Sequence, residues 1–410
     1  METTTSKTTQ KAEIGSTERT RELRKNLVSK ACYNGSYSPG IYVDIERAKL
    51  LTHSYKSNGG EEPILRRAKG LYHVLSNIPI SILENELIVG NPHADPHALP
   101  IFPEINANLL QEAIEDGYVR KEDREDAKEL VSYWKDRTIA NYVEKHMSKQ
   151  TRHIVNTSSS FISTTWKDGI QHCVPNWEYT FEHGTNNIRE KIEAKLEKVE
   201  EQIDQDNSTN LSALIESRNL YEAMLISLDG VNEFTDRFSE LAAYEAANSD
   251  DQTRQKELND MSKMLSRVLK ERPKSFWEAA QGFFFLHLIL NCIDSAAFGS
   301  LSRIDQCLYP FYKKDVIDEQ TISQNEAQEI IEALMLKIQA LGGFFSRKRR
   351  LHFEGNGALP IWTIGGVQTD GSDACNELTD VILRAAQSIR CNQPTRSEER
   401  RVGKECTLRC

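Results

Sequence analysis

Apolar residues recur at helical spacing through the first eighty positions. Leu23 and Leu27 stand four apart behind Ser16 and Thr17, so a helix is predicted to open at one of those two caps. Ile45, Ala48, Leu51 and Tyr55 follow a capping Asp44. Ile64, Ala68, Leu71 and Leu75 follow Pro63, whose fixed φ suits a first helical turn. The rhythm then breaks. Asn77 to Asn91 (NIPISILENELIVGN) carries Pro79 and then Leu87-Ile88-Val89 closed by Gly90, the pattern of a short buried strand. Positions 91–104 hold four prolines and predict an irregular loop packed on the domain. Helical segments return from Leu109 to His146. The stretch 151–184, rich in Ser, Thr, Trp and Gly, is the least regular, and such stretches commonly carry function.

From Asn187 to Pro273 the pattern is helical and heavily charged, as solvated outer helices are. Ser275 to Ile293 is apolar on nearly every side, so that helix belongs inside. Asn325 to Leu341 is amphipathic on Ile330, Leu334, Ile338 and Leu341. Ile361 to Val367 (IWTIGGV) reads as a strand ending in glycines. Ser372 to Arg390 is a further helix, and Cys391 to Thr395 approaches another strand. Helices dominate early, while strand, loop and helix alternate late. The expected class is α/β with a helical N-terminal shell. Residues 1–15 lack any period and are expected to form a disordered tail.

Composition narrows the function classes. A chain of 410 residues, 39% hydrophobic, buries a core without disulfides. Lys+Arg 51 against Asp+Glu 61 gives a net charge of -10, which argues against nucleic acid or an anionic membrane as the partner. No apolar segment opens the chain, and His287 and Asn291 interrupt the longest greasy run. The eight cysteines form no CxxC pair. A cytoplasmic protein with free thiols is expected. Arg396 to Cys410 fits no structural period. Its first part (RSEERRVGKEC) matches the translation of a common sequencing adapter. Residues 396–410 therefore read as a non-native tail, with the natural chain continuing past Thr395.

Four features invite chemistry. His93 and His97 are spaced like helical metal ligands, but Pro92 and Pro96 forbid the helix, leaving a packing role. His172 and Cys173 are sequence neighbours, whose side chains seldom converge as a nucleophile pair requires. The basic run Arg347 to Arg350 reads as a solvated loop. Trp166, His172, Asn176 and Trp177 offer an aromatic wall with polar groups, as a small-molecule pocket needs. No P-loop, GxGxxG, HExxH or GxSxG motif occurs.

A series of short motifs runs in order along the chain. It comprises Ser16 to Thr20 (STERT), Ile45 to Arg47, Pro63 to Gly70 (PILRRAKG), Glu86 to Asn91 (ELIVGN) and Phe102 to Glu104. Val174-Pro175, Ser302 to Gln306 (SRIDQ), Tyr309 to Tyr312 (YPFY), Thr363 to Gly366 (TIGG) and Asp373 to Asn376 (DACN) follow. This series, from Ser16 to Thr395, resembles the N-terminal part of glycyl radical enzymes, the pyruvate formate-lyase-like superfamily. The resemblance implies a ten-stranded α/β barrel wrapped by helices, of which this chain would carry the incomplete N-terminal half as one domain, 16–395. It implies a cysteine thiyl radical that abstracts a substrate hydrogen. A glycyl radical generates it, installed by an S-adenosylmethionine-dependent iron–sulfur activating enzyme. The radical cysteine and glycine loops would lie beyond Thr395, so the chain as given is expected to be inactive and to aggregate through its unfinished barrel.

By the same resemblance, His172 falls where glycerol dehydratase-like members bind substrate. Trp166, Phe298 and Ser300 are further candidate substrate contacts. Ala296-Ala297-Phe298 replace polar residues of the diol dehydratases, implying a greasier substrate. The opening motif and Gly371 to Arg390 look most like benzylsuccinate and alkylsuccinate synthase large subunits, whereas Arg303 and Asp305 follow the dehydratase pattern. The leading expectation is carbon–carbon chemistry on a small, partly apolar substrate, by fumarate addition or aryl-acid decarboxylation. The alternatives are a diol dehydratase-type lyase and, from another class, a non-enzymatic helical interaction protein. Expected partners are the small-molecule substrate, the activating enzyme and, at full length, a second copy. No metal, nucleic acid or membrane is expected.

Overall fold

The structure is a computed structural model, and it describes residues 14–157, 174–205, 210–295, 300–352, 360–392 and 394–399. The first helix, Glu18–Lys25, begins where its cap predicts. Thr17 accepts from the Thr20 backbone N–H, and Thr20 reaches back to the Thr17 N–H. The cap also fixes the helix in space. Thr17 Oγ1 donates to Glu329 at 2.6 Å and the Ser16 N–H donates to Glu332 at 3.0 Å, stapling it to the helix Gln324–Ala340. Glu46–Ser57 and Pro63–Asn77 follow as helices, the first opened by Asp44 accepting the Glu46 N–H and the second by Pro63 in its first turn.

A hairpin of β1 (Cys32–Tyr33) and β2 (Ser36–Tyr37) precedes β3 (Tyr42–Asp44). β3 pairs in parallel with β4 (Ala98–Pro100), so the proline-rich loop is ordered into a short strand at its centre. Leu87-Ile88-Val89 is buried as predicted but pairs with no strand among the described residues. Its backbone is satisfied by a side chain instead. The Gln281 amide accepts from the Val89 N–H at 2.8 Å and donates to the Val89 carbonyl at 2.9 Å. A primary amide offers one donor and one acceptor side by side, as a neighbouring strand does.

Gln281 sits on the core helix Phe276–Leu288, which continues into a π-helical turn, Ile289–Ile293. This run is long and apolar enough to cross a membrane by composition, yet 83% of it is buried inside the fold. Phe283, Phe284 and Phe285 are fully buried, and Phe234, Phe238 and Phe285 meet at ring-centroid distances of 5.1–5.5 Å. Each such burial contributes about 1.5–3 kcal/mol.

The stretch expected to be irregular is helical at both described ends, over Lys149–Thr157 and from Trp177 onward. Asn176 caps the helix Trp177–Asp204 through the Tyr179 N–H, and Trp177 stacks on Phe283 at 4.4 Å. Asn176 thus serves as a helix cap and Trp177 packs in the core. The helix kinks at Gly184 (φ 68°, ψ 168°), where Thr185 and Asn186 turn their N–H groups to the carbonyls of Leu269 and Lys270. A Cβ at Gly184 would lie 2.3 Å from the Lys270 carbonyl oxygen, so only glycine fits. The long helix 211–247 packs against 177–204, 252–265 and Pro63–Asn77, with Phe234 and Phe238 on its buried side.

The late alternation yields a parallel sheet in the order β5 (Ser300–Arg303), β6 (Ile361–Gly365), β7 (Thr395–Glu399). Ser300 stands opposite Ile361 and Arg303 opposite Thr363, with a register shift between, and the β7 backbone runs in step with all five residues of β6. Trp362 and Ile364 are buried, while Ile361 is 42% exposed. The period of two therefore leaves β6 one packed face and one open face.

Candidate functional site

The SRIDQ segment ties β5 to the end of β6. Asp305 is fully buried, and its Oδ2 accepts from the Gly365 N–H and from Thr379 Oγ1, both at 2.7 Å. Arg303 grips the other side of the same turn, donating to the carbonyl oxygens of Gly365 (2.5 Å) and Val367 (3.4 Å). Asn376 Nδ2 donates to the Asp305 carbonyl at 3.1 Å, and Gln306 Nε2 to the Ala374 carbonyl at 2.7 Å. The turn requires this grip because Gly365 and Gly366 both hold positive φ, 67° and 90°. Asn376 also caps the helix Glu377–Ile389, which delivers Thr379 to Asp305. Strand end, glycine turn and helix start thus form one rigid corner at the C-terminal end of β6.

Of the sequence-predicted contacts, Trp166, His172 and Phe298 lie outside the described residues. Ser300 opens β5, with its backbone paired to Ile361 on the strand that ends in the Asp305 corner. The thiols Cys32, Cys292, Cys307 and Cys375 are free. Burial pushes Cys32 and Cys307 up to about 11 and Cys292 higher still, so these three stay protonated at neutral pH and are poor nucleophiles. His93 is buried and pushed down to about 3 by desolvation, hence uncharged, whereas His97 is exposed beside Asp95. Among the described residues, no three His, Cys, Asp or Glu converge as a metal site.

The basic run is not a solvated loop. Arg347–His352 is a short helix set against the C-terminal end of Ala107–Glu115. Arg347 bonds Asp116 and Glu115 at 2.9 Å each. Arg350, 3% exposed, pairs with Asp116 and lies 4.9 Å from the Phe344 ring. Cations at a helix C-terminus also oppose its partial negative charge. Two groupings escape pattern reading: the Asp305–Thr379–Gly365 corner and a cavity holding Lys30, Glu86, Asn91 and Lys337. SRIDQ and DACN mark the first as motifs without giving its contacts, and ELIVGN marks Glu86 and Asn91 of the second in the same way, while nothing local points to Lys30 or Lys337.

A family model described as "Pyruvate formate lyase-like" matches residues 12–397. Among curated proteins, the chain is 28% identical over 377 residues to "Probable dehydratase YbiW" of Escherichia coli (strain K12), covering 88% of this chain and 45% of that protein. Among solved structures, it resembles the glycerol-bound form of the B12-independent glycerol dehydratase from Clostridium butyricum, with a TM-score of 0.81 and 29% identity. That match covers 95% of this chain and 48% of the dehydratase. A glycyl radical enzyme from Archaeoglobus fulgidus matches with a TM-score of 0.80 and 30% identity, over 93% of this chain and 48% of that one. The chain spans about half the length of the curated relatives it matches. The α/β fold with its helical shell is thus that of about half of such a barrel.

Proposed function

Because the chain belongs to the pyruvate formate lyase-like family, we propose that it forms the helical shell and part of the substrate wall of a glycyl radical lyase. The reaction we assign is elimination from a small functionalised carbon substrate, of the dehydratase type. The observation that carries this reading is the match of 95% of the chain to a glycerol-bound glycerol dehydratase. Arg303 and Asp305 follow the same pattern and together build the corner at the C-terminal end of β6. Addition of a hydrocarbon to fumarate draws no support from the proteins compared. Aryl-acid decarboxylation remains the second reading, favoured by the apolar Ala296-Ala297-Phe298 segment, which offers no partner to a buried hydroxyl.

In this proposal His172 hydrogen-bonds a substrate hydroxyl or carboxylate, Trp166 and Phe298 wall it in, and Ser300 contributes beside them. A glycyl radical, installed by a separate S-adenosylmethionine-dependent activating enzyme, supplies the hydrogen-abstracting chemistry. The loops that carry it belong to the length of the relatives that this chain does not span, so the 410-residue product alone is inactive. A cytoplasmic setting, a small-molecule substrate and a second copy in the full-length assembly complete the reading.

Resequencing the source locus across codon 395 tests the proposal, followed by anaerobic activation of the complete product. A frame that continues through a cysteine loop to a C-terminal glycine, a glycyl radical signal in electron paramagnetic resonance and an aldehyde from a diol are expected. A gene that closes after Cys410, with no radical formed, overturns it. Release of CO2 from an aryl acid, without aldehyde from diols, would transfer the assignment to the second reading.

A further inference from the structure

We propose that the cavity bounded by residues 23–30, 83–96 and 333–340 binds a small organic acid, a monoanionic carboxylate carrying a short apolar tail. The cavity holds about 250 Å³, and its walls share no residue with the Asp305 corner. That volume lies below the ~300 Å³ at which pockets for drug-sized ligands begin, so the tail is short.

The polar lining is one-sided. Glu86 accepts from the Leu83 N–H with Oε2 and from Lys337 with Oε1, so both of its oxygens are engaged. Asn91 Oδ1 accepts from Lys337 at 3.1 Å. Lys30 donates to the carbonyls of Pro96 and Ala98. When charged, each ammonium has three protons, so Lys30 and Lys337 each carry one beyond these bonds, and the buried Asn91 Nδ2 has no partner among the described residues. His93, uncharged and bonded to the Ala98 backbone, adds no charge. The remaining acid of the lining, Glu84, is exposed to solvent. Glu86 and Asn91 thus already accept from Lys337 or the backbone, while Lys30, Lys337 and Asn91 bring donors to the cavity wall.

Lys30 is 2% exposed, Lys337 7% and Glu86 3%, so these groups are built into the fold and not draped over its surface. Buried donors without partners are unfavourable, and an acceptor-rich head group relieves several at once. Burial pushes Lys30 down to about 7, and an anion beside it restores the stabilisation that desolvation removed. Leu23, Leu27, Leu87, Ile88 and Leu336 line the cavity with apolar surface, which selects a hydrocarbon tail over a polar one.

The test is calorimetric titration of the complete, unactivated product of the source locus with hexanoate, acetate and hexan-1-ol. Saturable hexanoate binding is expected, with acetate and hexan-1-ol each at least about tenfold weaker. Lys30→Met and Asn91→Asp should each weaken hexanoate at least about tenfold, the latter by turning donors into a negative charge. Ala333→Phe, which fills the space from the apolar side, should abolish binding. Circular dichroism and melting curves matched to the parent keep each variant interpretable. If hexanoate shows no saturation up to about 10 mM, or binds equally well to Asn91→Asp and Ala333→Phe, the cavity holds water only and the proposal falls. The measurement needs no radical, so its failure leaves the lyase reading untouched.

Discussion

Replacing Gln281 with leucine should cost far more than an ordinary core substitution of equal volume. Gln281 is fully buried, and its amide makes both hydrogen bonds that Val89, also fully buried, would otherwise make to a strand. Gln281→Leu leaves one N–H and one C=O unpaired in a dry interior, each costing about 1–3 kcal/mol. The apolar side chain returns part of that through burial, so a net loss of about 2–4 kcal/mol is expected.

Gln281→Glu sharpens the test. An ionised carboxylate still accepts from the Val89 N–H but faces the Val89 carbonyl without a proton to donate. The protonated acid makes both bonds, so its folded pKa rises above the unfolded value of about 4.3. The folded state then binds the extra proton, and stability falls as pH rises through the window between the two values. Urea unfolding followed by tryptophan fluorescence and circular dichroism reads the free energies, with coincident transitions establishing that one value is meaningful. Amide exchange at Val89 reads the local bond. A Gln281→Leu loss below about 0.5 kcal/mol, with Val89 protection unchanged, would refute the reasoning, because the amide would then not be standing in for a strand.

Three further outcomes follow from the geometry. Gly184→Ala should destabilise by more than about 2 kcal/mol in the same urea assay, since it adds left-handed strain to a backbone clash with Lys270. Asp305→Leu strips partners from the Gly365 N–H and Thr379 Oγ1 and should cost about 2–4 kcal/mol. Asp305→Asn keeps an acceptor at the same place and should cost less, so equal losses would remove Asp305 from its role. Lys30 sits at about 7 in the fold against its ordinary 10.5, through burial opposed by Asp95. Between those values the unfolded chain carries the extra proton, so raising pH favours folding. The stability of the parent relative to Lys30→Met should climb from pH 7 to 10, by at most about 1.4 kcal/mol per pH unit. A flat difference would show that burial leaves Lys30 unperturbed.

The features legible in the sequence are those decided within a few residues. Thr17 caps, Pro63 opens a helix, and the apolar stripe of Gln324–Ala340 and the all-round apolar Phe276–Leu288 each fix which surface is buried. IWTIGG shows its strand and its glycine stop, and the SRIDQ and DACN motifs signal the family. The rest depends on partners far apart in the chain. Leu87-Ile88-Val89 has the composition of a strand, yet its pairing partner is a glutamine on a helix 192 residues later. Arg347 to Arg350 has the composition of a solvated loop, yet Asp116, more than two hundred positions earlier, draws Arg350 into the interior. Asp305 reaches Thr379 across 74 residues, and Lys337 reaches Glu86 across 251. Periodicity encodes which side of an element avoids water, because that is a property of each residue. It does not encode which buried charge or amide completes which other, because a hydrogen bond belongs to a pair, and folding alone brings the two members within 3 Å.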